Sequence, residues 1–256
     1  MKDHLGAWML AVVALAGCSA LPMTQGAREF SQNNPWTDQA AGASAAVLPA
    51  QRWDHLTFPG KAPSKFTYAR KDGRDAVSAL ATSSASMLRR QVRIEHDELG
   101  SVRFSWKVPE LIAEADMGTR DGDDSPVRII LAFEGDRSRL SAKDSILSEL
   151  ALTLTGEEMP YATLMYVWCN KREPGSVITS ARTGRVRAIV MESGPRKLGQ
   201  WLDYERNIRA DYERAFGEVP GALVGLAVMT DSDNTRSTAR AWYGPVSLGP
   251  ASGPRH

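Results

Sequence analysis

From Val102 to Pro109 the chain reads Val-Arg-Phe-Ser-Trp-Lys-Val-Pro, apolar and polar residues alternating one for one until a proline ends the run. A period of two sends successive side chains to opposite faces of a strand, and proline cannot remain in the ladder of a central strand. A β-favouring signature recurs over Phe66–Tyr68, Ala76–Ala81, Met87–Ile94, Val127–Phe133, Thr163–Trp168, Val186–Met191, Leu223–Met229 and Ala239–Leu248. Asp, Gly, Ser and Pro turns lie between these runs. About ten strands at this spacing predict a mainly β chain, an antiparallel sandwich or barrel. Two short helices are expected within it. Ser141–Leu154 places Ile146, Leu147, Leu150, Ala151 and Leu154 on one face behind a Ser141 N-cap. Ile208–Phe216 is stopped by Gly217. Neither helix alternates regularly with strands, which argues against a βαβ architecture.

The N-terminus carries a different signal. Leu5–Gly17 (LGAWMLAVVALAG) follows Lys2 and ends in Leu15-Ala16-Gly17-Cys18. The run is shorter than the ~20 apolar residues of a membrane span but suits a signal-peptide core. Its end resembles the bacterial lipobox, which implies cleavage before Cys18 and lipidation of that cysteine. Residues 1–17 are thus read as a lipoprotein signal peptide, 18–51 as the lipidated Cys18 and a flexible tether rich in Ala, Gln, Asn, Ser and Pro, 52–249 as one β-sandwich domain and 250–256 as a disordered tail. The expected partner is a membrane, reached through Cys18. Ser19 in place of an Asp implies, by the same resemblance, the outer membrane facing the periplasm. Cys169, the second of two cysteines, then has no disulfide partner and reads as a small buried hydrophobe.

With a net charge of +1, no basic excess calls for nucleic acid. The four histidines are His4, His55, His96 and His256, and there is no Gly-x-Ser-x-Gly elbow, no zinc ligand set and no glycine-rich phosphate loop. No catalytic set is therefore assigned and no cofactor is required. Asp231, Asp233 and Asn234 have the opening spacing of a calcium loop but lack the glycine and glutamate that complete one. The favoured reading is a turn that caps its own backbone, with calcium as the alternative. Arg128, set between apolar residues on a strand, needs a carboxylate, with Asp123 or Asp124 the nearest. Tryptophan on a sheet face stacks well against a sugar ring. Trp106 and Trp168 sit in apolar runs and read as core, whereas Trp201 and Trp242 have polar neighbours. Candidate ligand-binding residues are Trp201, Trp242, Tyr243, Arg128, Glu205 and Arg206.

Several segments taken in order resemble the bacterial domain-of-unknown-function family 3047. They are Ser84-Ala85-Ser86, Trp106-Lys107-Val108-Pro109, Asp123–Arg128, Pro160–Trp168, Gly199-Gln200-Trp201, Glu205–Ile208, Asp211-Tyr212, Ala215-Phe216-Gly217, Met229–Thr235 and Trp242-Tyr243-Gly244. Cys169 stands where the family pattern has an acidic or amide residue. The resemblance implies an envelope or secreted protein and supplies no activity. The final portion, a strand ending in Asp231-Ser232-Asp233-Asn234-Thr235 and a closing strand through Tyr243-Gly244, also resembles carbohydrate-binding jelly rolls, which implies an antiparallel β-sandwich of jelly-roll, carbohydrate-binding-module-like type. The leading expectation is a lipid-anchored, non-catalytic module binding polysaccharide or peptidoglycan. The alternatives are a carboxylate-dependent glycoside hydrolase or lyase using residues such as Asp123, Glu134 and Glu205, and a structural lipoprotein that binds another envelope protein.

Overall fold

The computed structural model describes residues 53–250. The expected leader 1–17, Cys18, the tether 18–51 and residues 251–256 of the expected tail lie outside the described residues.

The strands are β1 (Trp53–Thr57), β2 (Lys65–Lys71), β3 (Arg74–Thr82), β4 (Ala85–Ile94), β5 (Ser101–Lys107), β6 (Ser125–Phe133), β7 (Ala162–Cys169), β8 (Val177–Thr179), β9 (Val186–Ser193), β10 (Trp201–Asn207), β11 (Leu223–Asp231), β12 (Thr238–Tyr243) and β13 (Ser247–Gly249). Helix α1 spans Ala142–Thr155 and α2 spans Ile208–Phe216. One sheet has seven strands in the order β1-β4-β11-β6-β7-β9-β8. The other runs β10-β5-β12-β3-β2, with β13 also pairing β5. Together they form the predicted jelly-roll sandwich, the chain passing repeatedly from one sheet to the other. A single pair departs from the antiparallel expectation: β9 runs parallel to β7. The chain leaves β7, forms the three-residue edge strand β8 and re-enters between the two, which forces that direction.

Alternation decides what the sheets bury. Val102, Phe104 and Trp106 of β5 face Val127, Ile129, Leu131 and Phe133 of β6 in one core cluster with Tyr166, Trp168 and Tyr243. Phe104 stacks on Tyr166 at 5.4 Å and leans on Trp106 at 5.2 Å. Each such side chain contributes about 1.5–3 kcal/mol by leaving water. The polar positions of β5, which are Arg103, Ser105 and Lys107, must then line the outer face of the six-stranded sheet.

Strand β10 alternates as well, but its Asp, Glu, Arg and Asn hid it from propensity reasoning. It is an edge strand of its sheet, where charged side chains discourage pairing with another chain. The expected strand Ala239–Leu248 is two strands, because the chain turns away at Gly244-Pro245-Val246 before pairing β5 again.

Both helices form with the expected caps: the Ser141 hydroxyl accepts from the Asp144 amide at 3.1 Å, and α2 ends at Gly217 with φ 70°. The orientation of α1 is not the expected one. Ile146, Leu150 and Leu154 are 64, 52 and 60% exposed, and Ser148 is its buried residue. Polar contacts fix that rotation, because the Arg137 guanidinium bonds the Ser148 hydroxyl and Thr183 bonds Asp144. No helix among the described residues is long and apolar enough to cross a membrane.

Candidate functional site

The outer face of the six-stranded sheet is built by register. Trp201 pairs with Lys107, Lys107 with Trp242, Trp242 with Ser78, and Ser78 with Thr67. Directly paired residues point to the same side of a sheet. One row therefore crosses five strands with a tryptophan on either side of Lys107. Two strand spacings separate the tryptophan backbones, about 10 Å. Both rings are half-buried. Gly244 packs closely beside this row, where a Cβ would fall 2.1 Å from the Ser105 hydroxyl.

Charged residues frame this row. Arg74 bonds Asp203 at 2.6 Å, with its guanidinium 5.2 Å from the Trp201 ring centre. Lys71 lies 4.9 Å over Trp242, and Lys107 bonds Asp72 at 2.6 Å. Arg103 bonds Glu205 at 3.0 Å. These bonds hold two carboxyls below their ordinary range, Asp72 through Lys107 and Glu205 through Arg103 and then Ser101. Beside the row, where the chain turns away after β12, an open depression of about 600 Å³ is lined by Arg74, Arg103, Ser105, Asp203, Glu205 and Pro245. Trp201, Trp242 and Glu205 thus share one face. Sequence reasoning missed Arg74, Arg103, Lys107 and Asp203, although the polar phase of β5 and β10 carried the signal for three of them.

Arg128 lies elsewhere. It points away from the inter-sheet core and is covered by the segment around Asp123. Its guanidinium bonds Asp231 through Nε and Nη2, both at 2.9 Å, and Asp123 at 3.2 Å. Burial alone would lower the Arg128 pKa, but Asp231 and Asp123 together raise it. Burial pushes Asp231 up to about 6, against the pull of Arg128 and with help from Asp124 and Asp123. Arg128 is therefore a structural cation, not a ligand contact, and Asp231 joins Asp123 as its partner. Asp124 instead accepts from the Thr235 amide at 2.7 Å and hydroxyl at 2.6 Å.

Tyr243 is corrected too. It is fully buried, because the β12 alternation that exposes Trp242 must turn its neighbour inward. Its hydroxyl donates to the Met229 carbonyl at 2.5 Å, accepts from the Arg128 amide at 3.3 Å and stands 3.0 Å from Thr230 Oγ1. Arg206 belongs to the inward phase of β10 and bonds Asp211 at 2.5 and 2.8 Å, while Asp211 also accepts from Tyr166. It is a packing partner of α2 and does not reach the outer face.

For calcium, Asp231 and Asp233 come together with Asp124, their oxygens within 4.8 Å of one another. Protein cations already meet this charge: Arg128 holds Asp231, and the Lys61 ammonium bonds Asp233. Asn234 is spent, donating to Asp123 and Asp124 and accepting from Arg182 at 3.0 Å. The turn does not cap its own backbone as expected: its amides at Asn234 and Thr235 donate to Asp124 at 3.2 and 2.7 Å, so the oxygens that calcium would need are engaged across the fold.

The carboxylates proposed for hydrolysis do not converge. Asp123 is held by Arg128, Glu134 by Arg93 and Glu205 by Arg103. His55 Nε2 lies 2.8 Å from Ser86 Oγ, but that hydroxyl is fully buried and bonded to Ser64, so no substrate carbonyl can reach it. Cys169 is buried among Met117, Val167 and Ile178. Exposed large apolar side chains gather on α1, not on a sheet face.

The family described as "Protein of unknown function (DUF3047)" matches residues 51–247. The chain belongs to this family. No curated protein sequence matches the DUF3047 chain. Among solved structures it is similar to a thermostable variant of the Cel12A cellulase of Rhodothermus marinus, with a TM-score of 0.42, 11% identity, 77% of this chain covered and 96% of that one. It is also similar to the family 11 carbohydrate-binding module of the cellulase Lic26A-Cel5E of Clostridium thermocellum (TM-score 0.37, 7% identity, 80% and 91% covered). A third is the xyloglucanase domain of NopAA, a type three effector from Sinorhizobium fredii (0.38, 10%, 77% and 92%). These likenesses are distant, and the reading of the DUF3047 site rests on its own geometry.

Proposed function

We propose that this chain is a non-catalytic glycan-binding module of the cell envelope, held to the outer membrane by lipid on Cys18, and that it binds its ligand on the outer face of the six-stranded sheet. The carrying observation is the Trp201-Lys107-Trp242 row. Two flat apolar surfaces two strands apart suit alternate rings of an extended saccharide, and the ion pairs around them supply donors and acceptors for its hydroxyls. Hydrolysis has less support, because the candidate carboxylates are each neutralised by a different arginine and none is poised as a proton donor to a shared point.

Titration of the purified full chain with envelope polysaccharides and peptidoglycan fragments tests the binding half. Saturable binding that W201A and W242A weaken supports it. A folded protein that binds none of these glycans at millimolar concentration removes it. Mass spectrometry of the protein from its native membrane tests the anchor, and an intact Met1 or an unmodified Cys18 ends that part of the proposal.

A further inference from the structure

The outer face of the six-stranded sheet has a charge imbalance that the whole chain does not. Lys65, Lys71, Arg74, Arg103, Lys107 and Arg240 stand on it by register. Asp203 and Glu205 stand there too, Asp72 leans in from the β2–β3 turn, and Asp75 lines the depression. Six basic groups thus meet four acidic ones, in a chain whose net charge is only +1.

The surplus has a location. Lys65 pairs with Leu80, and Leu80 with Arg240, so the two cations flank Leu80 in the row next to that of Trp242. Both are exposed. Among the described residues neither has a carboxylate partner, whereas Asp72, Asp203 and Glu205 are each bonded to another cation. Trp242 is therefore bordered by Arg240 two residues back on its own strand, by Lys107 on the next strand and by Lys71 over its ring.

The position of Lys71 bears on what can stack there. A sugar ring laid on Trp242 must push the ammonium off the indole. With a neutral sugar the cation–π contact is lost and only hydroxyl contacts replace it. With a sugar carrying a carboxylate, the displaced Lys71, together with Arg240 and Lys65, gains a charge-assisted partner. The same exchange is open to Arg74 over Trp201.

We propose that the ligand of this face is an acidic polysaccharide, its rings stacked on Trp242 and Trp201 and its carboxylates met by Lys65, Lys71 and Arg240. This rests on the glycan reading above and narrows it to a charge class.

The test is calorimetric titration of the full chain with polygalacturonate and with its fully methyl-esterified form, which keeps the sugars and removes the charge. The expected result is binding of the acid form at least about tenfold tighter than the ester, weakening as salt is raised. The double variant K65Q/R240Q should erase that preference while leaving residual binding, and W242A should weaken both forms. Equal affinity for acid and ester overturns the charge inference and leaves the glycan reading standing. Binding of neither form, nor of any other glycan tried, removes both. Binding of single-stranded DNA or phosphatidylglycerol vesicles as tight as polygalacturonate, and unchanged in W242A, marks the face as a general anion surface and also overturns the inference.

Discussion

Trp201 and Trp242 occupy one cross-strand row of the six-stranded sheet, on either side of Lys107. Strands β10 and β12 lie far apart in sequence, and only their shared pairing with β5 aligns the two rings. The alignment makes the pair separable from the core. W201A and W242A are each expected to weaken glycan binding about tenfold, or ~1.4 kcal/mol, with the melting temperature changed by only a few degrees. Calorimetry beside a thermal melt checks this. Loss of the fold in either variant would contradict the placement of these rings on an outer face.

Tyr243 is next to Trp242 in sequence and on the opposite side of the sheet. Y243F leaves the buried Arg128 amide and Met229 carbonyl short of a partner. The expected cost is about 1–3 kcal/mol of stability with glycan affinity unchanged. Urea unfolding paired with a binding titration distinguishes this from a role in the site.

The Arg128–Asp231 pair lies away from water, with side chains 4 and 5% exposed. Removing Arg128 strands the Asp231 charge, whereas removing Asp231 leaves Arg128 with Asp123, so R128M should cost about 3–5 kcal/mol and D231L less. The double variant should be less damaged than the sum of the two, because neither charge is then left alone. Additive losses in denaturant unfolding would show that the two groups do not act as a pair.

Asp231 also sets a pH dependence. Its folded value of about 6 stands above the ordinary 3.8, chiefly through burial. The folded state therefore holds this proton more tightly than the unfolded chain does. The stabilisation is fully present below about 3.8 and is lost as pH rises through about 6, a change of about 3 kcal/mol. Carboxyls held low, such as Asp116, Glu157 and Glu218, act oppositely and withdraw their contribution only as the solution becomes more acidic than the ordinary carboxylate range. Unfolding midpoints between pH 4 and 7, compared with those of D231N, isolate the effect, since the variant should lack this slope.

A Cβ at Gly244 would fall 2.1 Å from the Ser105 hydroxyl but at an ordinary contact distance of 3.7 Å from the Trp201 ring. G244A is therefore expected to cost about 1–3 kcal/mol of stability through the displaced Ser105 side chain, with glycan affinity nearly unchanged. A thermal melt beside a binding titration checks this, and a several-fold loss of affinity would show that the variant moves the indole.

What the sequence determined by itself is whatever depends on neighbours along the chain. The period of two in β5 and the apolar run around Trp106 assigned that ring inward, the Ser141 and Gly217 caps bounded the helices, and the isolated charge of Arg128 announced a buried ion pair. Tertiary structure alone decided what depends on which strands are joined. The register of β10 and β12 on β5 placed Trp201 beside Trp242, the phase of β12 turned Tyr243 inward, and that of β10 sent Arg206 to Asp211. The bond between Arg137 and Ser148 rotated α1 so that Ile146, Leu150 and Leu154 face solvent. Local periodicity says which residues share a face but not what lies across from them. That is set by backbone hydrogen bonds between segments far apart in the chain, such as those of Trp201 and Trp242 with Lys107.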